Sequence, residues 1–439
     1  MLQKEKFPRL LLISHNVYDI SNNVGKTLHS LLLEWPKELL FSLYFRDEMP
    51  KEYFCSSYFM LHDKDIVKTL ATLGVYSGGK VFNGNSAKKI EDQNKKIETL
   101  LYKLGNKRNP YISFFRDIAW HLCVKRIKSN LMKWLDQTKP QVILFVPNDY
   151  LLAFDIMYLV KKYTNAKMVT FYMDDAFYVG QNIHGINALR RKKLFSAGIK
   201  CAQLSEKLFT TCDAMTKEYT TIFGLKCISF GNVVDPIMNT NIPINNQELL
   251  IVYIGNLHSN RWKSLLDIGN AICSLNKAEN MDYKLHIYSA SNIDRCVIDL
   301  FEKTKTIIFH GGISSSEVRA VQMKADILVH AESFDAKSKA STRLSISTKI
   351  FEYLAAAKPI FAYGPNDIAS MQYLENTGAS INCYDKDNGI LQSSLKRLLD
   401  SPYLRSELAK RGALFAKLYC DPQRIRNNFI NEIKKISNN

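Results

Sequence analysis

Ser345-Ile-Ser-Thr-Lys-Ile-Phe-Glu-Tyr-Leu-Ala-Ala-Ala-Lys-Pro-Ile-Phe361 has the pattern of one turn of an α/β domain. A polar loop feeds a short helix, and the helix gives way to a buried strand. Ser347 and Thr348 are capping residue types, Phe351, Leu354 and Ala355 keep helical spacing, and Pro359 stops the helix before apolar Ile360-Phe361-Ala362-Tyr363. Such a helix N-terminus faces whatever lies at the carboxyl edge of the sheet. Its unpaired N–H groups and dipole favour an anion, Lys349 adds a charge, and Glu352, one turn further in, can accept two hydroxyl hydrogen bonds from a sugar ring. Phosphate plus ribose points to a nucleotide. The same pattern also serves any doubly wound α/β domain, in which Glu352 would be a solvated surface charge.

Working outward, 439 residues suit two or three domains with ample core. No apolar run approaches the ~18–20 residues that span a bilayer, and the run after Pro8 is too short for a signal peptide. Nine cysteines are scattered without metal or redox spacing, so a reducing cytoplasm is expected. The net charge of +17 is uneven: between Lys103 and Lys139 stand nine basic residues against Asp117 and Asp136. Such a patch fits an anionic membrane face or phosphorylated substrates, or is the solvated face of a basic protein. No recognition-helix, zinc-finger or RNA-binding signature accompanies it, so nucleic acid is not an expected partner.

Strands alternate with helices from the start. Arg9 to Ser14, Leu40 to Tyr44, Val142 to Val146, Met168 to Tyr172, Lys207 to Thr211 and Cys227 to Phe230 read as strands, with one long helix over Ile112 to Leu135. Gly25-Lys26-Thr27 is not a P-loop, because Ile20 stands where that motif needs glycine. Asp149, Asp174 and Asp175 follow strand ends, where open sheets bind ligands, and are the candidate cleft carboxylates; each can equally cap a helix. Asp63-Lys-Asp65 and Asp385-Lys-Asp387 read as surface charge. Pro236 to Gln247 reads as a linker, after which the alternation restarts at Leu250 to Ile254, Lys284 to Tyr288, Ile307 to His310 and Ile327 to His330. Ser314 and Glu317 form a capping-box pattern, and Glu332 to Arg343 reads as a long loop.

The Ser345–Phe361 run resembles the donor-site segment of the two-Rossmann-domain (GT-B) glycosyltransferases, nearest the large retaining family that includes sucrose synthases and many bacterial glycosyltransferases (family 4-like). The resemblance implies two Rossmann-like doubly wound domains facing across a cleft. Residues 1–236 would bind the acceptor, 248–418 the donor, and a helix in 419–439 would pack back on the first domain. It implies that Glu352 holds the donor ribose, with Ser347, Thr348 and Lys349 beside it, and that Arg261 and Lys263, after Gly255, hold the diphosphate. Gly25 would lie near donor and acceptor. The family has a second Glu eight residues before the first, and here that position is Leu344; Glu332 and Asp335 are candidates for the missing sugar contact. The usual Arg after the first glycine is Asn256.

The implied activity is transfer of a sugar from a nucleotide-diphosphate donor to a glycan or lipid-linked acceptor, in bacterial surface polysaccharide synthesis. Retention of configuration is implied, with no cofactor and no metal, in the cytoplasm or on the inner face of the membrane. The alternative is a non-catalytic nucleotide-sugar or glycan-binding protein derived from a transferase. A sugar-nucleotide epimerase of the same fold would need an acidic and His constellation that this sequence does not offer.

Overall fold

Short runs of β-branched, Leu and aromatic residues, buried on both faces in the central strands, build two separate sheets. The structure, a computed structural model, describes residues 7–20, 22–63, 65, 78–84, 110–123, 128–175, 177, 185–231, 233, 234 and 249–438. The linker read over 236–247 lies outside them. The chain divides into two units, Met1–Gly231 with Gln423–Asn439, and Asn232–Pro422.

In the first unit β1 (Leu10–Ser14), β2 (Leu40–Tyr44), β3 (Ser57–Met60), β4 (Lys80–Phe82), β5 (Val142–Phe145), β6 (Lys167–Tyr172), β7 (Lys207–Thr210) and β8 (Cys227–Ser229) form one sheet in the order β4-β3-β2-β1-β5-β6-β7-β8. Every pairing is parallel except β3 with β4. The order reverses between β1 and β5, which makes their carboxyl ends the switch point of a doubly wound sheet. β3 and β4 were not legible as strands. They are short, and they are held by the stacking of Tyr58 on Phe82 at 5.3 Å.

In the second unit β9 (Leu250–Ile254), β10 (Lys284–Tyr288), β11 (Ile307–Gly311), β12 (Ile327–Ala331), β13 (Ile360–Tyr363) and β14 (Ser380–Cys383) are all parallel, in the order β11-β10-β9-β12-β13-β14. The switch point lies between β9 and β12. One face packs Leu265, Ile268 and Ile272 of helix Arg261–Glu279 against Ile251, Tyr253 and Val329. The other packs Ile350, Tyr353 and Leu354 of helix Thr348–Ala355 against Val252, Leu328 and Ile360. The doubly wound α/β expectation therefore holds for each unit.

The last helix, Pro422–Asn438, belongs to the first unit, as expected. Its Phe429 is fully buried against Phe171, Phe209 and Phe230, at 5.9, 5.4 and 5.1 Å. Arg426 adds a hydrogen bond of 3.0 Å to the Ser30 carbonyl.

The segment read as one helix is helical over Pro110–Cys123 and Lys128–Thr138, with 124–127 outside the described residues. The first of these pieces buries Trp120 and Cys123, while Ile118 and Leu122 are exposed. The segment read as a loop over Glu332 to Arg343 contains helix Ala336–Thr342, nucleated by Asp335, whose carboxylate accepts from the Ser338 N–H at 2.9 Å.

Candidate functional site

The Ser345–Phe361 stretch folds as read, and it delivers its helix at the carboxyl edge of the second sheet. Pairing of β12 with β13 brings the loop that ends in Ser347 next to the carboxyl end of β12. Ser347 is the N-cap, but its hydroxyl makes no capping hydrogen bond, so the expected side-chain cap is absent. The Ile350 N–H, which such a cap would serve, reaches the Ser347 carbonyl at 3.1 Å instead. Among the described residues, the positive end of the helix has no side-chain cap.

Glu352 lies one turn inside this helix, part-exposed, between two donors. Lys349 Nζ is 3.2 Å from Oε1 and 3.0 Å from Oε2, and Gln322 Nε2 donates to Oε2 at 2.7 Å. Gln322 is buried, on helix Ser315–Lys324, whose capping box between Ser314 and Glu317 is formed as the pattern predicts.

Across the edge, Arg261 opens helix Arg261–Glu279 and is bound to Glu332 through Nε at 3.1 Å and Nη2 at 3.0 Å, while Nη1 donates to Asn256 Oδ1 at 2.9 Å. Glu332, 2% exposed, is therefore an anchor for Arg261. Ser264 fixes it from behind by donating to its carbonyl at 2.7 Å. Gly255 is needed where it stands: a Cβ there would lie 2.8 Å from the Tyr253 hydroxyl, which itself donates to the Asn256 carbonyl. Lys263 turns toward its neighbour Trp262, 5.5 Å from the ring centre. Asp335, a candidate for the missing sugar contact, is engaged as a helix cap, and the Ser338 amide and hydroxyl hold its carboxyl below the usual range. Leu344 is buried.

His330, at the end of β12, had no signal in the sequence. Its Nε2 is buried without a hydrogen-bond partner among the described residues, 3.5 Å from Glu332 Oε1. Burial pushes the imidazole down to about 4, with the Glu332 charge opposing and Arg261 reinforcing.

At the carboxyl edge of the first sheet, the polar groups bind one another. Asp63 Oδ1 accepts from Trp120 Nε1 at 2.7 Å and from the Tyr150 hydroxyl at 2.6 Å, and Asp65 is buried with Oδ2 on the His62 N–H at 2.7 Å. These two are structural and not surface charge, because a capped turn and two buried aromatic donors need an acceptor there. Asp385 and Asp387 are exposed, as expected, and Asp387 caps helix Asn388–Asp400. The Tyr150 ring meets His15 at 5.3 Å and Phe45 at 5.8 Å, with the Arg116 guanidinium 4.4 Å over it. Arg190 bonds Asp117 at 2.8 Å and the carbonyl of Asp149, whose side chain is exposed. Asp175 accepts from the Tyr219 hydroxyl at 2.8 Å. Asp174 beside it is exposed, and its carboxyl is raised by the protein packed nearby and then by Asp175. Gly25 makes a close approach within its own chain: a Cβ there would fall 1.8 Å from the Asp19 carbonyl oxygen. That contact accounts for the glycine.

No protein-family profile and no curated protein sequence matches the chain. Solved structures do. Anabaena HepE in complex with UDP matches 97% of this chain and 99% of its own at 9% identity, with a TM-score of 0.62. Sucrose-phosphate synthase from Thermosynechococcus elongatus matches 97% and 98% at 12% identity and 0.61. Staphylococcus aureus TarM matches 69% of this chain at 13% identity and 0.52; this chain spans 57% of TarM. These similarities define the class of architecture: two Rossmann-like domains of the GT-B type. Within that class, WaaG, a glycosyltransferase of lipopolysaccharide biosynthesis, is similar over 96% of this chain and 99% of its own, at 12% identity and a TM-score of 0.57.

Proposed function

We propose that this protein is a glycosyltransferase that moves a sugar from a nucleotide-diphosphate donor to a glycan or lipid-linked acceptor. The observation that carries the reading is Glu352, part-exposed one turn inside a helix with no side-chain cap, with Lys349 on its carboxylate. The carboxylate suits the ribose diol and the helix N-terminus suits a phosphate. When the sugar leaves, negative charge grows on the diphosphate. The helix amides, Lys349 and Arg261 supply positive charge without a metal, and Arg261 reaches the diphosphate once Nη1 leaves Asn256. Retention of configuration and a role in bacterial surface polysaccharide synthesis complete the reading and rest on the resemblance.

The reading extends to an acceptor at the membrane. Helix Ile186–Leu204 carries Arg190, Arg191, Lys192, Lys193 and Lys200 with no acidic residue. It lies beside helix Pro110–Cys123 through the Arg190–Asp117 pair and through Lys193, 5.8 Å from the Phe114 ring centre. Leu189, Phe195, Ile118 and Leu122 are exposed on the same two helices. Among the described residues no helix is long and apolar enough to cross a membrane. Basic and apolar groups together suit the inner face of an anionic membrane, in contact with the cytoplasm. Sedimentation with anionic vesicles should be seen at low salt and fade as salt rises; no sedimentation at low salt would remove this part.

The second reading, a non-catalytic nucleotide-sugar-binding protein, is favoured by the buried Leu344 and by the engagement of Arg261 with Glu332. Thermal stabilisation by UDP-, GDP- and ADP-sugars in excess chelator tests the donor site, since a ligand at a hundred times its Kd adds ~2.7 kcal/mol. Slow hydrolysis of the stabilising donor supports the transferase; stabilisation without turnover supports the binding protein. Stabilisation by none would overturn both.

A further inference from the structure

Gln322 is 30 residues from Glu352 in sequence and sits under it in space. The amide is 3% exposed and donates to Glu352 Oε2 at 2.7 Å, a shorter contact than either from Lys349. A carboxylate only accepts, so the contact fixes which end of the amide faces it. The two oxygens of Glu352 are therefore unequal. Among the described residues, Oε2 takes Gln322 and Lys349, whereas Oε1 has Lys349 alone, at 3.2 Å. Lys349 is a flexible part-exposed ammonium that a phosphate can draw away; Gln322 is locked in the core beside Val318 and Val321.

We infer that Gln322 is a positioning residue, holding Glu352 by Oε2 so that Oε1 faces outward for a pair of vicinal hydroxyls while Lys349 is freed for the phosphate. This rests on the donor reading of Glu352. It makes Gln322 a determinant of how well the site takes the ribose of a nucleotide, through geometry alone and with no contact to the ligand. A buried amide is suited to the task because it stays a donor at every pH. A carboxyl in its place would oppose a second carboxylate and donate only while the pair keeps a proton.

The test is the affinity of the full chain for UDP, with GDP and ADP in parallel, and donor turnover. Gln322→Leu keeps the volume and removes the donor, and it should weaken binding and raise donor KM about tenfold, the loss of one hydrogen bond to a charged group, with kcat within about twofold. In a Glu352→Ala background it should cost nothing further. Gln322→Glu should bind well at low pH and lose affinity as pH rises through the titration of the new carboxyl pair, whereas the parent protein shows no such step. If Gln322→Leu does not fold, Gln322→Glu carries the test, because its pH step is read within one folded protein. Unchanged affinity in Gln322→Leu, an equal loss in the Glu352→Ala background, or no pH step in Gln322→Glu would overturn the inference. If Glu352→Ala itself leaves nucleotide affinity unchanged, the donor reading has failed; if it weakens binding and Gln322→Leu does not, only the positioning role has.

Discussion

The carboxyl edges of the two sheets carry similar kinds of side chain put to different ends. On the first, Asp63 is tied to Trp120 and Tyr150, Asp175 to Tyr219, and Arg190 to Asp117. On the second, Arg261 and Glu332 make one such knot, but the helix beside it has no side-chain cap, and its Glu352 is held from below with its charge part-exposed. A charge at a strand end is therefore no indication of a ligand site until its partners are known. A carboxylate whose partners leave one oxygen lightly held is the better sign.

The largest expected effect tests the knot on the second edge. Arg261→Met leaves Glu332 buried and unpaired, which should cost ~3–5 kcal/mol, and Arg261→Met with Glu332→Leu should recover most of it. Urea unfolding of the three proteins decides, and a single variant as stable as the parent would mean the pair holds nothing.

Next comes pH. The folded imidazole of His330, at about 4, lies below its ordinary 6.5, so between these values the unfolded chain binds more protons. Its contribution is thus full above about 6.5, is lost as pH falls, and levels off below about 4. The size is on the order of 3 kcal/mol. His330→Leu should flatten the stability profile over this window relative to the parent; an unchanged slope would place His330 in contact with water.

On the first edge, Asp63→Ala strands the Trp120 and Tyr150 donors and should cost about 2 kcal/mol, with Asp63→Asn losing less. If donor affinity falls with stability intact, the knot is a site after all. The smallest contrast concerns caps. Ser314→Ala should lose ~1 kcal/mol, whereas Ser347→Ala, with no cap bond to lose, should change stability by under ~0.5 kcal/mol. Equal losses would show that Ser347 caps its helix in solution.

The legible part of the molecule was periodic or local. Pro359 and the Phe351–Leu354 spacing placed a helix and strand correctly, and the apolar runs placed nearly every long strand. β3, β4 and β14 were missed: Ser57–Met60, Lys80–Phe82 and Ser380–Cys383 each open on a polar residue, lie at or next to a sheet edge, and owe their pairing to neighbours already in the sheet. Glu352 was readable because it lies on the quoted stretch. Gln322 and His330 were not, since an amide inside a helix and an imidazole in a strand acquire meaning only when the sheet brings Glu352 and Glu332 beside them.

Whether Glu352 binds the nucleotide is decided by titration calorimetry of Glu352→Ala and Glu352→Gln against the nucleotide that stabilises the parent. Hydrogen bonds to a charged group contribute ~1.5–3 kcal/mol each, so losing a pair should weaken binding on the order of a hundredfold in Glu352→Ala. Glu352→Gln should lose less, and both should melt within a few degrees of the parent. A sharp fall in Tm with unchanged affinity in the folded fraction would make Glu352 a structural residue and contradict the nucleotide site.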